Sequence, residues 1–142
     1  MISLSDLQEA SKVFFARHWR SNEEAGPPPE WQEWTPFLFS TVPNHGLGGC
    51  YALFESEALI YVGLGASRGN VAYPGYGITR RLMDHVISSD KNRGKDWSTL
   101  KPDWLNVSAI YTIGLRSEDV YLAPALESYL IRELKPPQNR NV

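Results

Sequence analysis

The chain has little of what several protein classes require. It holds one cysteine, Cys50, among 142 residues, which excludes an internal disulfide framework and any zinc site built from several thiolates. No run approaches the roughly 18 apolar residues of a membrane span, and the start "MISLSDLQEASKVFF" lacks the basic end and apolar core of a signal peptide. We therefore expect a cytoplasmic protein without membrane association, whose metal ions, if any, are held by oxygen ligands.

Excess positive charge is also missing, but the charge is unevenly distributed. The net charge of −2 argues against a protein that coats nucleic acid by bulk charge. Residues 68–101 nevertheless carry seven basic and three acidic side chains, whereas residues 1–48 carry three basic and six acidic ones. This pattern fits a segment that faces an anion, and it fits a solvated surface of mixed charge equally well.

The N-terminal third combines a helix with an unusual arm. Apolar spacing predicts an amphipathic helix over residues 4–18. Three prolines at 27–29 then force an extended course, and the aromatic residues that follow predict that this arm lies against the domain. Peptide recognition by the proline run is an alternative. We assign residues 1–48 to this helix and arm, packed on the core, and residues 49–142 to the main domain.

The remainder alternates strand and helix patterns. "CYALFES" and "LIYVGLG" predict a hairpin, residues 78–90 a helix, residues 104–114 a strand, and residues 119–134 a last helix stopped by two prolines. The 42% hydrophobic content suits one domain with one core. The order predicts an α/β fold: a small mixed three-stranded sheet, made of the hairpin and one further strand, flanked by helices.

Four polar residues sit oddly in this layout. Arg81 and His85 are four apart on the predicted central helix, a spacing that suits gripping a phosphate and handling a proton but also describes a solvated helix flank. Glu127 has apolar neighbours three and four residues away, so its carboxylate needs a metal ion or a basic partner such as Arg81. Asn139 follows the helix-stopping prolines, where its amide can bond the backbone or reach a ligand.

Together these segments resemble a known family. "GCY" at 49–51, "YVG" at 61–63, "RRLMDH" at 80–85 and "LESYLIRELKPPQN" at 126–139 occur in the order found in the GIY-YIG nuclease superfamily. Each motif alone is weak, but all four in register are specific, and they span 91 of the 142 residues. The chain is most similar to the compact stand-alone and restriction-endonuclease-like members.

The resemblance implies how water would be activated. Tyr51, from the first motif, would serve as general base or proton relay, with His85 as the neighbour it needs at neutral pH. Tyr61, from the second motif, would orient the water or a phosphate oxygen. Gly49 and Gly63 are the structural glycines of the two motifs, and Gly63 would let backbone approach closely.

The resemblance also implies how phosphate and metal would be held. Arg81 would stabilise charge on the pentavalent phosphate, and Glu127 would hold one divalent cation, Mg²⁺ or Mn²⁺, per active site. Asn139 would brace the site or contact the phosphate. The chain departs from the family pattern at Cys50, where an aliphatic residue is usual, and at Leu64, where many relatives carry lysine.

The implied function is a metal-dependent endonuclease that hydrolyses phosphodiester bonds in DNA, with RNA left open. A catalytically inactive nucleic-acid-binding module with the same fold is the alternative. Trp97 and Trp104 either stack on bases or pack in the core. Double-strand cleavage would need a homodimer or two successive encounters, and specificity would be weak or supplied by a partner protein. The candidate nucleic-acid-binding residues are Arg68, Arg80, Lys91, Arg93, Lys95 and Lys101.

Overall fold

The computed structural model describes residues 1–35, 37–38, 40–66, 77–89 and 98–139. Within them, three α-helices and six strands occur, with a 3₁₀ turn at Pro102–Trp104. The helices are α1 (Leu4–His18), α2 (Ile78–His85) and α3 (Leu122–Leu134). The strands are β1 (Gln32–Trp34), β2 (Gly48–Glu55), β3 (Ala58–Gly65), β4 (Ile87–Ser89), β5 (Ser98–Leu100) and β6 (Ala109–Leu115).

The α/β class is confirmed, but the predicted sheet was wrong in number and direction of strands. The described strands form a four-stranded sheet in the order β1-β6-β2-β3, in which every pairing is antiparallel. The fourth strand, β1, comes from the arm, where three residues are too few to show a strand period. A separate antiparallel pair, β4 with β5, lies outside this sheet.

The hairpin of β2 and β3 is the centre of the sheet. Antiparallel pairing runs from Gly49 opposite Gly65 to Glu55 opposite Ala58, and Ser56 adopts a positive φ of 53° in the tight turn. Residues 49–54 are all buried, because helices cover both faces of β2. Alternate side chains of β2 therefore point into two different cores, one on each face of the sheet, instead of one core and the solvent.

One core lies between the sheet and helices α1 and α3. It holds the side chains of Leu7, Phe14, Ala52, Val62 and Leu126, among others. Helix α1 begins with a capping box, in which Ser3 and Asp6 satisfy each other's backbone N–H groups. The predicted span of α1 is confirmed at both ends. None of the helices in the described ranges is long and apolar enough to cross a membrane.

The arm is bound to the sheet, and Arg20, just before the arm, links the segments next to α1 and α3. β1 pairs with β6, and Trp31 and Trp34 are buried. The side chain of Arg20 donates two hydrogen bonds to Asp119, a fully buried carboxylate that precedes α3. Burying that carboxylate is tolerated because it is paired and hydrogen-bonded. The end of α1 and the start of α3 are thereby joined.

The second core lies between the other face of the sheet and α2. Its members include Tyr51, Leu53, Ile78, Leu82 and Ile110. The helix predicted over residues 78–90 is shorter: it ends at His85, and β4 begins two residues later. Its predicted span was wrong because residues 87–89 pair with residues 98–100, a non-local contact that overrides local helical spacing.

The last two elements also begin later than predicted. β6 starts at Ala109, since Trp104 belongs to the 3₁₀ turn and residues 105–108 carry the chain to the sheet. Helix α3 starts at Leu122, with Pro124 in its first turn, where a missing N–H costs nothing. It ends at Leu134 with Lys135 in the left-handed conformation, directly before the two prolines.

Candidate functional site

The tyrosines of the hairpin lie on the α2 face of the sheet. Tyr51 in β2 is opposite Gly63 in β3, and Tyr61 is opposite Leu53, so both side chains project to the same face. A Cβ atom built on Gly63 would lie 2.2 Å from Cζ of Tyr51. Gly63 is therefore required because the tyrosine ring lies across it. The close approach is of a side chain, whereas the resemblance implied an approach of backbone.

Gly49, the first glycine of the hairpin, is required by close packing. A Cβ atom there would lie 1.9 Å from the carbonyl oxygen of Ile113 and 3.1 Å from Cδ1 of Ile78. Gly65, opposite Gly49, similarly leaves room for the backbone of Ile78. The first turn of α2 thus rests directly on the end of the hairpin, which fixes the height of α2 over Tyr51.

Helix α2 places His85 against Tyr51. The distance from the Tyr51 hydroxyl oxygen to Nδ1 of His85 is 2.6 Å. Tyr51 is 0% exposed, whereas His85 and Tyr61 are half-buried. Burial raises the pKa of the Tyr51 hydroxyl. Burial, followed by the positive charges of Arg81 and Lys101, lowers the pKa of His85, so the imidazole is neutral at pH 7.

Arg81 lies one turn before His85 and acts on the whole cluster. Its side chain is exposed, and its guanidinium charge lowers the pKa values of both Tyr51 and Tyr61 against the larger, opposing effect of burial. An exposed arginine whose charge reaches two tyrosine hydroxyls is suited to holding an anion over them.

Glu127 reaches the same cluster from α3. It is half-buried, and burial raises the pKa of its carboxyl, an effect that the charge of Arg81 opposes. Its own negative charge contributes to the raised pKa of Tyr61. The Glu127 carboxylate therefore interacts electrostatically with Tyr61 and Arg81, although α3 packs on the opposite face of the sheet. β3 is the edge strand of the described sheet, which leaves this edge free of a further strand.

Asn139 binds the backbone of that edge strand. Its amide nitrogen donates to the carbonyl oxygen of Val62, and its amide oxygen accepts from the N–H of Val62, each at 2.9 Å. The backbone N–H of Gln138 donates to the carbonyl oxygen of Ile60. The segment after α3 thus caps the edge of β3 on either side of Tyr61, and the asparagine amide braces the site through backbone contacts.

Trp104 joins the cluster, and sequence reasoning did not assign it to the site. Its ring centroid lies 5.1 Å from that of Tyr61 and 5.2 Å from that of His85. At 9% exposure it is available for packing rather than for stacking on a base. The sequence offered only an aromatic residue at the start of the predicted strand over 104–114, because the contact depends on how the chain folds between β4 and β6. Trp97, the other candidate, lies outside the described residues.

Most of the predicted nucleic-acid-binding residues also lie outside the described residues: Arg68, Lys91, Arg93 and Lys95. Of the remaining two, Arg80 is exposed and forms an ion pair with Asp84 at 3.5 Å. The ammonium group of Lys101 donates to the backbone carbonyl oxygen of Asp84, in the last turn of α2. Lys101 therefore contributes to the end of α2 and adds positive charge beside His85.

Comparisons with protein-family models, with curated proteins and with solved structures find no match. In the described part of the chain, no three His, Cys, Asp or Glu side chains come together as potential metal ligands. The cluster thus consists of one carboxylate, one guanidinium, one imidazole and two phenols, walled by an indole. Such a set can hold an anion, move a proton and offer one oxygen ligand to a cation.

Proposed function

We propose that the protein is a metal-dependent endonuclease that hydrolyses phosphodiester bonds in DNA. The observation that carries this proposal is the 2.6 Å hydrogen bond between Tyr51 and His85, with the charge of Arg81 beside it. A tyrosine, a neutral imidazole and an exposed guanidinium in one cluster are the groups needed to deprotonate water and to stabilise a phosphorane. The motif resemblance described above gives the same assignment from the sequence.

In this proposal, His85 takes the proton from the attacking water. The fully buried position of Tyr51 keeps its hydroxyl from water, whereas His85 and Tyr61 are partly exposed. The Tyr51 oxygen and Nδ1 of His85 are hydrogen-bonded at 2.6 Å. We assign Nδ1–H as the donor, which leaves Nε2 unprotonated and free to act as the base. The lowered pKa of His85 keeps that nitrogen available at neutral pH. Tyr61 orients the water or a phosphate oxygen.

Arg81 carries the charge stabilisation. Attack on a phosphodiester places a second negative charge on the phosphorane, and a guanidinium donates two parallel N–H bonds to such oxygens. Arg81 is exposed on α2, and its charge already acts on both tyrosines. Its guanidinium could therefore contact a phosphate bound next to the tyrosine hydroxyls. Loss of one such donor costs roughly 100- to 1,000-fold in kcat.

Glu127 fits a single hard cation. Mg²⁺ is commonly bound by one or two carboxylates, with waters and substrate phosphates completing the shell. Burial raises the pKa of Glu127, and the opposing charge of Arg81 does not fully cancel this effect. A nearby cation would therefore stabilise the ionised carboxylate further. Glu127 would therefore hold Mg²⁺ or Mn²⁺. The bound ion would supply Lewis-acid stabilisation of the phosphate and the leaving oxygen.

The test is cleavage of supercoiled plasmid with Mg²⁺, Mn²⁺ or EDTA, together with a labelled RNA of matched sequence. One active site cuts one strand, so nicked circles should form before linear product. Glu127→Gln and Arg81→Ala should each lower the nicking rate at least roughly 100-fold. Their matched controls are Glu133→Gln and Arg132→Ala, which change exposed residues of α3.

Equal loss in the control variants would contradict the assigned roles. An intact plasmid under every metal condition, with DNA still shifted on native gels, would replace the endonuclease with a nucleic-acid-binding module. Preferential cleavage of the RNA would keep the chemistry and change the substrate.

A further inference from the structure

Three aromatic rings surround the imidazole of His85. Ring centroids of Tyr51, Tyr61 and Trp104 lie 6.2, 5.2 and 5.2 Å from it, at interplanar angles of 63°, 59° and 80°. The two tyrosines belong to the hairpin and are fixed by the sheet. Trp104 comes from outside the four-stranded sheet, and it contacts Tyr61 as well as His85. The indole is therefore shared by both partly exposed groups of the site.

The segment that carries Trp104 is fastened to the end of α2. Leu100 pairs with Ile87 in the β4–β5 ladder, and the backbone N–H of Lys101 donates to the carbonyl oxygen of Val86 at 2.8 Å. The ammonium of Lys101 adds the bond to the Asp84 carbonyl. The 3₁₀ turn then closes with the N–H of Trp104 donating to the Lys101 carbonyl oxygen at 2.9 Å. Trp104 is thus held relative to the residues on either side of His85.

We propose that Trp104 is a positioning residue, whose ring fixes the orientation of the His85 imidazole and of the Tyr61 phenol. The terminal torsion of a histidine is broad and roughly two-fold, so one hydrogen bond at Nδ1 leaves a flipped ring as a competing state. Edge-to-face contact with the indole favours one of the two orientations. The activity readout below rests on the proposed endonuclease function, whereas the spectroscopic readout does not.

The contact with Trp104 is separable from the charges that face His85. Those groups are Tyr51 from β2, Tyr61 from β3, Arg81 from α2, Lys101 from the segment after β5 and Asp103 from the 3₁₀ turn. Substituting Trp104 by an uncharged residue leaves all of them in the chain. A flipped ring carries Nδ1 away from the Tyr51 oxygen and removes the hydrogen bond that favours one tautomer. The tautomer of His85 therefore reports the orientation of its ring.

The experiment compares Trp104→Phe and Trp104→Leu with the same two substitutions at Trp34. Trp34 is a matched control because it is 3% exposed in the same core, and its ring packs against Phe37. Nitrogen chemical shifts of His85 are recorded in ¹⁵N-labelled protein at pH 7.5, at a temperature where circular dichroism shows each variant folded. The wild type should show one tautomer, with the proton on Nδ1.

Trp104→Leu should give averaged nitrogen shifts that report two tautomers, and Trp104→Phe should restore the single tautomer. Both Trp34 variants should keep the wild-type spectrum. In plasmid nicking, Trp104→Leu should lower kcat by about 10- to 100-fold with little change in KM, the loss expected of a misplaced catalytic group. A wild-type tautomer in Trp104→Leu, or equal disturbance by Trp34→Leu, would overturn the proposal. If the wild type cuts no nucleic acid, the endonuclease function fails while the tautomer result still decides the role of Trp104.

Discussion

Replacing Gly63 by alanine would press a methyl group into the ring of Tyr51. The new Cβ atom would lie 2.2 Å from Cζ, 2.5 Å from the hydroxyl oxygen and 2.7 Å from Cε1. Since ordinary contacts begin at 3.4 Å, the ring would have to withdraw by about 1.2 Å. The ring is fully buried between β3 and α2, so it cannot swing out as an exposed tyrosine would.

The expected cost in stability follows from this clash. Overpacking a core typically costs about 1–3 kcal/mol, and the gain from alanine over glycine in a strand offsets about 0.5–1 kcal/mol of it. In a Tyr51→Leu background the clash is absent, so Gly63→Ala should become neutral or slightly stabilising. The double-mutant cycle should therefore show a coupling energy of roughly 1–3 kcal/mol between the two positions.

The measurement is urea denaturation of the wild type, both single variants and the double variant. Additive effects, with coupling below about 0.5 kcal/mol, would refute the placement of the Tyr51 ring over Gly63. Nicking activity gives a second readout. A shift of about 1 Å in a catalytic group costs up to about 100-fold, so Gly63→Ala should be nearly inactive while still folded.

Three further predictions concern the residues around this pair. Because the pKa of His85 in the folded state is lowered, the nicking rate should be constant at neutral pH and fall only below the ordinary histidine pKa of about 6.5. A nicking rate that already falls above pH 6.5 would contradict the role of His85 as the base. Burial raises the pKa of Glu127 in the folded state, so its ionised carboxylate destabilises the fold above that pKa and has no such effect below the unfolded-state pKa. Glu127→Gln should therefore raise Tm at pH 8 but not at pH 3.5. Mg²⁺ should raise the Tm of the wild type but not that of the variant. Asn139→Ala should lower the free energy of unfolding by about 1–3 kcal/mol in urea denaturation and speed hydrogen exchange at the N–H of Val62. Exchange that stays slow in the variant would show that the Asn139 side chain does not protect this N–H.

The strong local patterns of the sequence predicted the main elements. Helix α1, the hairpin and α3 each show a clear apolar period, and their types follow from it. β1 and the β4–β5 pair were missed because each strand has three residues and depends on a distant partner. The predicted helix over 78–90 was too long for the same reason: local helical spacing continues past His85, but the pairing of β4 ends the helix.

Part of the predicted site could likewise be inferred from the sequence, and part depends on non-local folding. Tyr51 and His85 lie together because α2 packs on the face of the hairpin that carries Tyr51. The family resemblance implied that the two residues are neighbours. The two hydrogen bonds between the Asn139 amide and the Val62 backbone depend on how the chain folds after β6. The position of Trp104 beside Tyr61 and His85 depends on how it folds before β6. Side chains that contact the backbone or another ring, as Asn139 and Trp104 do, produce no recognisable spacing pattern in the sequence. The proposed roles of Arg81 and Glu127 in catalysis stay predictions.

The burial of Tyr51 separates two accounts of how water would be activated in the proposed endonuclease reaction. If Tyr51 were itself the general base, its raised pKa would have to be overcome, and water would have to reach a hydroxyl with no exposed surface. If His85 is the base, Tyr51 need only accept the Nδ1–H bond and stabilise the imidazolium as it forms. Tyr51→Phe distinguishes them. Under the first account, activity is abolished and no acid limb remains. Under the second, kcat falls because the imidazole loses its partner, but the residual rate still falls as His85 is protonated. The 2.6 Å bond to a half-exposed imidazole favours the second account.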